Sequence, residues 1–344
     1  MKRRVFLKTV SGAAGAAALG VPRLFADDAS SQASGTLPRR VLGRTGQTVP
    51  VIAFPGLSLT HCEQDEGTAA LHRALDRGAN YFDVAPNYGN GIAETRMGIG
   101  LQGIDRSKYF LACKTHKRDK AGAQAELEQS LTRLKTDHFD LYQLHHLVRP
   151  AEVEQVFSAD GAMAPILKAR DEGKIKFIGF SAHTTKAAVL ALKTFKFDTV
   201  MFPINFVEFY TRDFGKEVLA LANEHGAGVI AIKPLSWGTW PKDTPKNRDW
   251  WYKSVEKPDE IELALRFTLS QKGVAAAIPT SFVDLFHRTV DGALKFKPLD
   301  DPAVERLQQM AANRGSIFIG EEKQVAMNLP HWTPVHPDSP HECG

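Results

Sequence analysis

From Arg39 onward, short apolar runs alternate with amphipathic stretches about eight times over, and no other feature constrains the fold as tightly. The apolar runs fall at 51–54, 81–84, 109–113, 140–144, 176–180, 199–202, 229–232 and 275–278. Between them, 68–77, 92–101, 123–134, 163–172, 186–194, 214–224, 259–270 and 281–292 carry apolar residues at helical spacing. Leu127, Leu131 and Leu134 share a face, as do Ile261, Leu265 and Leu269. Gly78 and Gly173 stand where helices stop, and Pro258 where one starts. A small hairpin turning near Arg44–Gly46 precedes the series. Such a series over ~250 residues is the arithmetic of a (β/α)8 barrel. A doubly wound sheet would want a glycine-rich phosphate loop, but 53–57 reads Ala-Phe-Pro-Gly-Leu and no GxGxxG occurs. The expected fold is therefore α/β, a (β/α)8 TIM barrel with an N-terminal hairpin and a C-terminal extension.

In a barrel, chemistry sits where strands end. The second strand ends in Tyr81-Phe82-Asp83-Val84-Ala85 and runs on through Pro86-Asn87-Tyr88. The third ends in Cys113-Lys114-Thr115 and the fourth in Leu144-His145-His146. Each residue alone has a bland reading: a turn aspartate, a loop tyrosine, a solvent-facing lysine, a core histidine. On one rim the four make a proton-transfer set. A phenol with a pKa near ~10 is a reluctant acid or base at neutral pH. A neighbouring ammonium favours its anion and lowers that pKa. A buried ammonium needs a counter-charge, which Asp83 could supply. A neutral imidazole at His145 can hold a carbonyl oxygen facing the phenol. The set suits carbonyl reduction, with hydride arriving at carbon while Tyr88 gives a proton to oxygen.

Four segments together resemble the aldo-keto reductases: Asn80-Tyr81-Phe82-Asp83-Val84-Ala85-Pro86-Asn87-Tyr88-Gly89, Gly91-Ile92-Ala93-Glu94, Asp140-Leu141-Tyr142-Gln143-Leu144-His145 and Gly173-Lys174-Ile175-Lys176-Phe177-Ile178-Gly179-Phe180-Ser181. The opening Leu42-Gly43-Arg44-Thr45-Gly46 and Ala264-Leu265-Arg266 agree, so the similarity spans about residues 39–295. The resemblance implies that Asp83, Tyr88, Lys114 and His145 are the catalytic tetrad. It makes Tyr88 the general acid/base, with Lys114 lowering its pKa, Asp83 holding Lys114 and His145 orienting substrate. It implies a nicotinamide dinucleotide across the barrel mouth, NADP(H) ahead of NAD(H), bound without a Rossmann domain, and a small carbonyl or alcohol as substrate.

The sequence departs from the family pattern around the cofactor. Ser181 is kept, but the following Asn is Ala182, the strand-six Gln is Met201, and the aromatic that stacks on the nicotinamide is Ile232. By resemblance the cofactor falls to Ser181, Asn205, Lys233, Pro234, Thr280, Ser281 and Arg288, with His183 as a further candidate. Thr280-Ser281 also reads as a helix N-cap. Four of the five tryptophans, Trp237, Trp240, Trp250 and Trp251, lie between strand seven and the next helix. Trp237 and Trp240 are candidates for a substrate wall, or for packing of the loop onto the barrel.

Residues 1–26 carry Lys2, Arg3, Arg4, Lys8 and Arg23 and no acid, followed by a weakly apolar Ala/Gly stretch. Their order resembles a twin-arginine export signal, which makes the translocase a partner and the periplasm the destination. Residues 27–37 read as a flexible linker, 38–320 as the barrel and 321–344 as a tail with His331, Trp332, His336 and His341. The five basic residues account for the whole cationic excess: 43 Lys+Arg against 39 Asp+Glu becomes 38 against 39 without them. No cationic footprint for nucleic acid remains, and no stable membrane insertion of the mature chain is expected. Cys62, Cys113 and Cys343 make neither a disulfide framework nor a CxxC pair.

Two rivals remain at this level. A non-catalytic or regulatory nicotinamide-binding barrel would fit the lost carboxamide residues. A metal-dependent barrel hydrolase could use His116, His146 and His183, but Leu59-Thr60-His61 lacks the HxH such enzymes place after strand one, so no metal site is expected.

Overall fold

Residues that alternate along the strands separate two apolar layers. One set, including Ala53, Tyr81, Ala112, Leu141, Met201 and Ile230, packs in the barrel interior with Leu42 and Val49 from the N-terminal hairpin. The other, including Phe54, Phe82, Leu111, Tyr142 and Phe180, packs outward against the helices. This is the period of two expected of strands with both faces covered.

The computed structural model describes residues 36–329. The expected export signal, nearly all of the linker, and His331, Trp332, His336 and His341 lie outside the described residues. Eight parallel strands form one sheet in sequential order: β1 (Phe54–Pro55), β2 (Tyr81–Asp83), β3 (Phe110–Thr115), β4 (Phe139–Leu147), β5 (Ile175–Ala182), β6 (Thr199–Pro203), β7 (Gly228–Ile232) and β8 (Val274–Ile278). Ile52 bridges Ala277 in parallel, and Ala53 N–H donates to the Ala277 carbonyl at 3.0 Å, which closes the ring. The fold is the (β/α)8 barrel.

Arg39–Val41 and Thr48–Pro50 form the hairpin. Its turn needs glycine at Gly43, where φ is +49° and a Cβ would run into the backbone of Gly228. Helices α1 (Gln64–Asp76), α2 (Ile92–Gly100) and α3 (Lys120–Leu134) follow the first three strands. Asp119 caps α3 by accepting from Gly122 N–H at 2.7 Å. Beyond β4 come α4 (Pro150–Val156) and α5 (Met163–Asp171); beyond β5, α6 (Thr185–Thr194); beyond β6, α7 (Phe206–Arg212) and α8 (Lys216–His225). Then come α9 (Pro258–Leu269), α10 (Val283–Leu294), α11 (Asp301–Ala311) and α12 (Ile319–Ala326). No described helix is long and apolar enough to cross a membrane.

Two additions crown the barrel mouth. The loop after β7 folds into an antiparallel ribbon, Ser236–Gly238 against Lys253–Ser254. The segment before α12 is pinned by buried Glu208, whose carboxylate accepts from Ser316 Oγ and Ile317 N–H, each at 2.7 Å. Phe318 then stacks on Phe214 with ring centroids 5.0 Å apart.

Candidate active site

β2 delivers Asp83, β3 Lys114 and β4 His145 to the same rim, and Tyr88 follows in the turn before α2. All four are buried. Lys114 Nζ donates to Asp83 Oδ1 at 2.5 Å, to the Val84 carbonyl at 3.1 Å and to Tyr88 Oη at 3.4 Å. The Tyr88 ring meets the His145 ring edge-on, centroids 5.6 Å apart. The structure thus brings the four predicted residues together. It adds Gln143, whose Nε2 donates to Asp83 Oδ2 at 3.4 Å. Leu141, Gln143 and His145 alternate along β4, so strand phase was the available signal for it.

Burial governs the protonation of this group. It pushes the Tyr88 phenol up to about 12, and the nearby Lys114 ammonium offsets only part of that rise. The expected lowering of Tyr88 by Lys114 is present in direction but outweighed by loss of water. For Lys114, burial disfavours the charge, yet Asp83 and Tyr88 win and lift the amine to about 12. Burial also raises Asp83, and the Lys114 charge opposes it.

A cleft of about 50 Å³ opens beside Tyr88. Asp83, His145, Ser181, His183, Met201, Ile232, Lys233 and Ser281 line it, and Trp250, Trp251 and Tyr252 face them. The substrate-wall candidates Trp237 and Trp240 are not among these residues. Trp237 lies under the Arg314 guanidinium at 4.4 Å, which packs the ribbon against the segment after α11, and Trp240 Nε1 donates to the Trp250 carbonyl at 2.7 Å within the ribbon's own loop.

The other cofactor candidates divide. Ser181 Oγ accepts from His146 N–H at 2.7 Å and keeps its own proton to give. Lys233 Nζ sits 3.2 Å from His183 Nε2, and burial pulls its ammonium down to about 7. Pro234 is buried and is not among the cleft residues. Asn205 caps α7, accepting from Glu208 N–H at 3.0 Å, and does not reach the cleft. Thr280 is not a helix cap: its hydroxyl bonds Tyr252 Oη at 3.1 Å and Ser254 Oγ at 2.9 Å, tying the ribbon to the end of β8. Phe282 occupies the N-cap of α10, without a side-chain cap bond. Arg288 is half exposed and engaged by Asp284 at 3.4 Å and the Glu256 carbonyl at 3.2 Å, away from the cleft lining.

Known proteins resemble this chain in sequence and in fold. The chain is 25% identical over 250 residues to a D-threo-aldose 1-dehydrogenase of a Pseudomonas species, covering 63% of this chain and 74% of that one. It is 26% identical over 268 residues to an L-galactose dehydrogenase of Arabidopsis thaliana, covering 70% and 82%. Among solved structures, an aldo-keto reductase from Bacillus halodurans in its holo form superposes with a TM-score of 0.67 at 23% identity, covering 83% of this chain and 99% of that one. One from Klebsiella pneumoniae, solved in complex with NADPH, gives 0.60 at 21% identity over 81% and 96%. The model of the aldo/keto reductase family matches residues 53–312, a span that holds the whole barrel from β1 and all four rim residues. With that match, the chain belongs to the aldo/keto reductase family.

Proposed function

We propose that this protein transfers hydride between a nicotinamide dinucleotide and a small carbonyl or alcohol, with Tyr88 as proton donor or acceptor. One observation carries the reading: a tyrosine hydroxyl 3.4 Å from a lysine amine that is itself neutralised by a buried aspartate, at the wall of a cleft. A phenol held near 12 is protonated at neutral pH, which is the form reduction requires.

The residues present suit the cofactor's chemistry. Met201, Ile232 and Ile278 offer apolar walls for a flat ring, Ser181 has a hydroxyl proton for a carboxamide, and Lys233, lowered to about 7 by burial, is an amine that a phosphate would draw into its charged form. The cleft, about 50 Å³, is far below the ~300–1,000 Å³ that houses a drug-sized ligand, so a bound dinucleotide needs a wider mouth than this. When bound, the dinucleotide supplies or accepts the hydride. The protein's part is to hold the carbonyl between His145 and Tyr88, exclude water with Trp250 and Trp251, and pass a proton through the Tyr88 oxygen. NADP(H) is placed ahead of NAD(H). The names of two relatives, both sugar dehydrogenases, and an aromatic wall suited to stacking on a sugar ring put aldoses first in a substrate screen. The test is titration of NADPH and NADH against tryptophan fluorescence, followed by an aldose and aldehyde screen. Failure to bind either nucleotide ends the reading.

Export is part of the same proposal. It is supported by Lys2-Arg3-Arg4 ahead of an Ala/Gly-rich stretch with no acid before Asp27. Arg3→Lys with Arg4→Lys should hold the protein in the cytoplasmic fraction. Unchanged periplasmic recovery would remove the twin-arginine route.

A further inference from the structure

We propose that His146, His183 and Glu321 form a binding site for a borderline divalent first-row metal ion, for which zinc is the probe. The three side chains are buried, and each offers a ligand atom within 4.8 Å of the others. Two imidazole nitrogens and one carboxylate oxygen are a donor set that such ions take up with positions left open.

The way the chain assembles this set carries the argument. His145 and His146 are consecutive, so an unbroken β4 would point them to opposite sides of the sheet. Instead the pairing of β4 with β5 slips between Leu144 and Leu147, and His146 sits at φ +57°, in the left-handed region. That conformation is uncommon for a residue with a side chain, and the 2.7 Å bond from His146 N–H to Ser181 Oγ braces it. Bulges of this kind re-aim side chains beside functional sites. The result is a His146 ring perpendicular to His183, centroids 4.3 Å apart, while His145 remains on Tyr88. His116 stacks on the outer side of His146 at 6.1 Å.

Glu321 comes from α12, beyond the residues that the family model matches. The helix is fixed from both sides. Glu208 pins its approach, and Glu322, next to Glu321, accepts from Thr185 N–H at 2.6 Å. A buried carboxylate is costly without a cation. Glu321 acts electrostatically on the Lys233 amine, which lies 3.2 Å from His183 Nε2. Bonds of about 2.0–2.2 Å to a metal would draw the three ligand atoms closer together and require the amine to swing off His183. An ammonium and a metal ion therefore compete for one place, and this gives the test an unusual sign. The site does not depend on hydride transfer, because its readout is ion binding.

The experiment is zinc titration of the chelator-stripped full chain against a chromogenic chelator, with thermal unfolding in parallel. The wild type should take one zinc per chain at this site and unfold at higher temperature when loaded. Glu321→Gln should weaken that zinc at least tenfold and abolish the thermal shift. Lys233→Met, which removes the competitor, should tighten it severalfold. Zinc uptake unchanged in Glu321→Gln and in His146→Gln with His183→Gln would place the ion elsewhere, for example on the histidines at 331, 336 and 341, and overturn the proposal. So would a wild type that takes up no zinc. Circular dichroism confirms folding of each variant. If the double histidine variant fails to fold, the opposite signs at Glu321 and Lys233 decide the question.

Discussion

Lys114 Nζ lies 2.5 Å from Asp83 Oδ1, with the lysine side chain fully withdrawn from water and the aspartate 4% exposed. Removing one partner leaves the other charge stranded, which in buried pairs costs about 3–5 kcal/mol. Asp83→Asn should lower unfolding stability by roughly that amount. Asp83→Asn with Lys114→Met should recover part of the loss, because no stranded charge remains. Urea unfolding of the wild type, Asp83→Asn, Lys114→Met and the double variant closes the cycle, and strictly additive losses would contradict the pairing.

Tyr88→Phe removes one oxygen from a buried ring and leaves its packing in place. Turnover should fall by a factor on the order of 10²–10⁴, the usual worth of a positioned acid or base. Nucleotide binding and the melting temperature should stay near those of the wild type. Steady-state rates set beside a fluorescence titration measure both, and a variant with normal turnover would relieve Tyr88 of its role.

The alkaline stability of the fold should depend on this same group. Tyr88 and Lys114 both hold their protons more tightly in the folded chain, at about 12, than their ordinary values of 10.0 and 10.5 allow. The folded state therefore binds more protons than the unfolded state between those limits. This stabilisation is fully present below about 10 and is lost as pH rises toward about 12. Unfolding midpoints measured from pH 8 to pH 11 should drop, and the drop should be shallower in Tyr88→Phe than in the wild type.

Trp250 and Trp251 face the cleft, whereas Trp240 braces them from behind through its bond to the Trp250 carbonyl. NADPH should quench intrinsic fluorescence, and most of the quench should vanish in Trp250→Phe with Trp251→Phe. Trp240→Phe should keep it. A quench that follows Trp240 instead would mean that the ribbon is read the wrong way round.

Much of the barrel was legible because strand and helix periods differ and alternate. The run at 199–202 became Thr199–Pro203, and the stretch at 123–134 became Lys120–Leu134 once Asp119 is recognised as its cap. Short helices such as Pro150–Val156 and Phe206–Arg212 carry too few turns to show a face. The rim residues were legible because each lies in the last residues of a strand or in the turn just after it. The direction of His146 was not legible, since the slip after Leu144 has no marker such as glycine or proline. Which tryptophans face the cleft depends on the register of a ribbon between Ser236 and Ser254, again without a pattern in the residues. Thr280 looked like a cap because it follows a strand and precedes a helix. Its actual partner, Tyr252, is remote in the chain and reached only through the folded loop.

Ring closure joins Ile52 to Ala277, so the barrel's first and last strands are also its final seam. A chain emerging from the ribosome presents two unfinished sheet borders until residue 277 is free. A chain stopped just short of that point would lack the closing strand and leave two unpaired sheet edges, the kind of border through which chains aggregate.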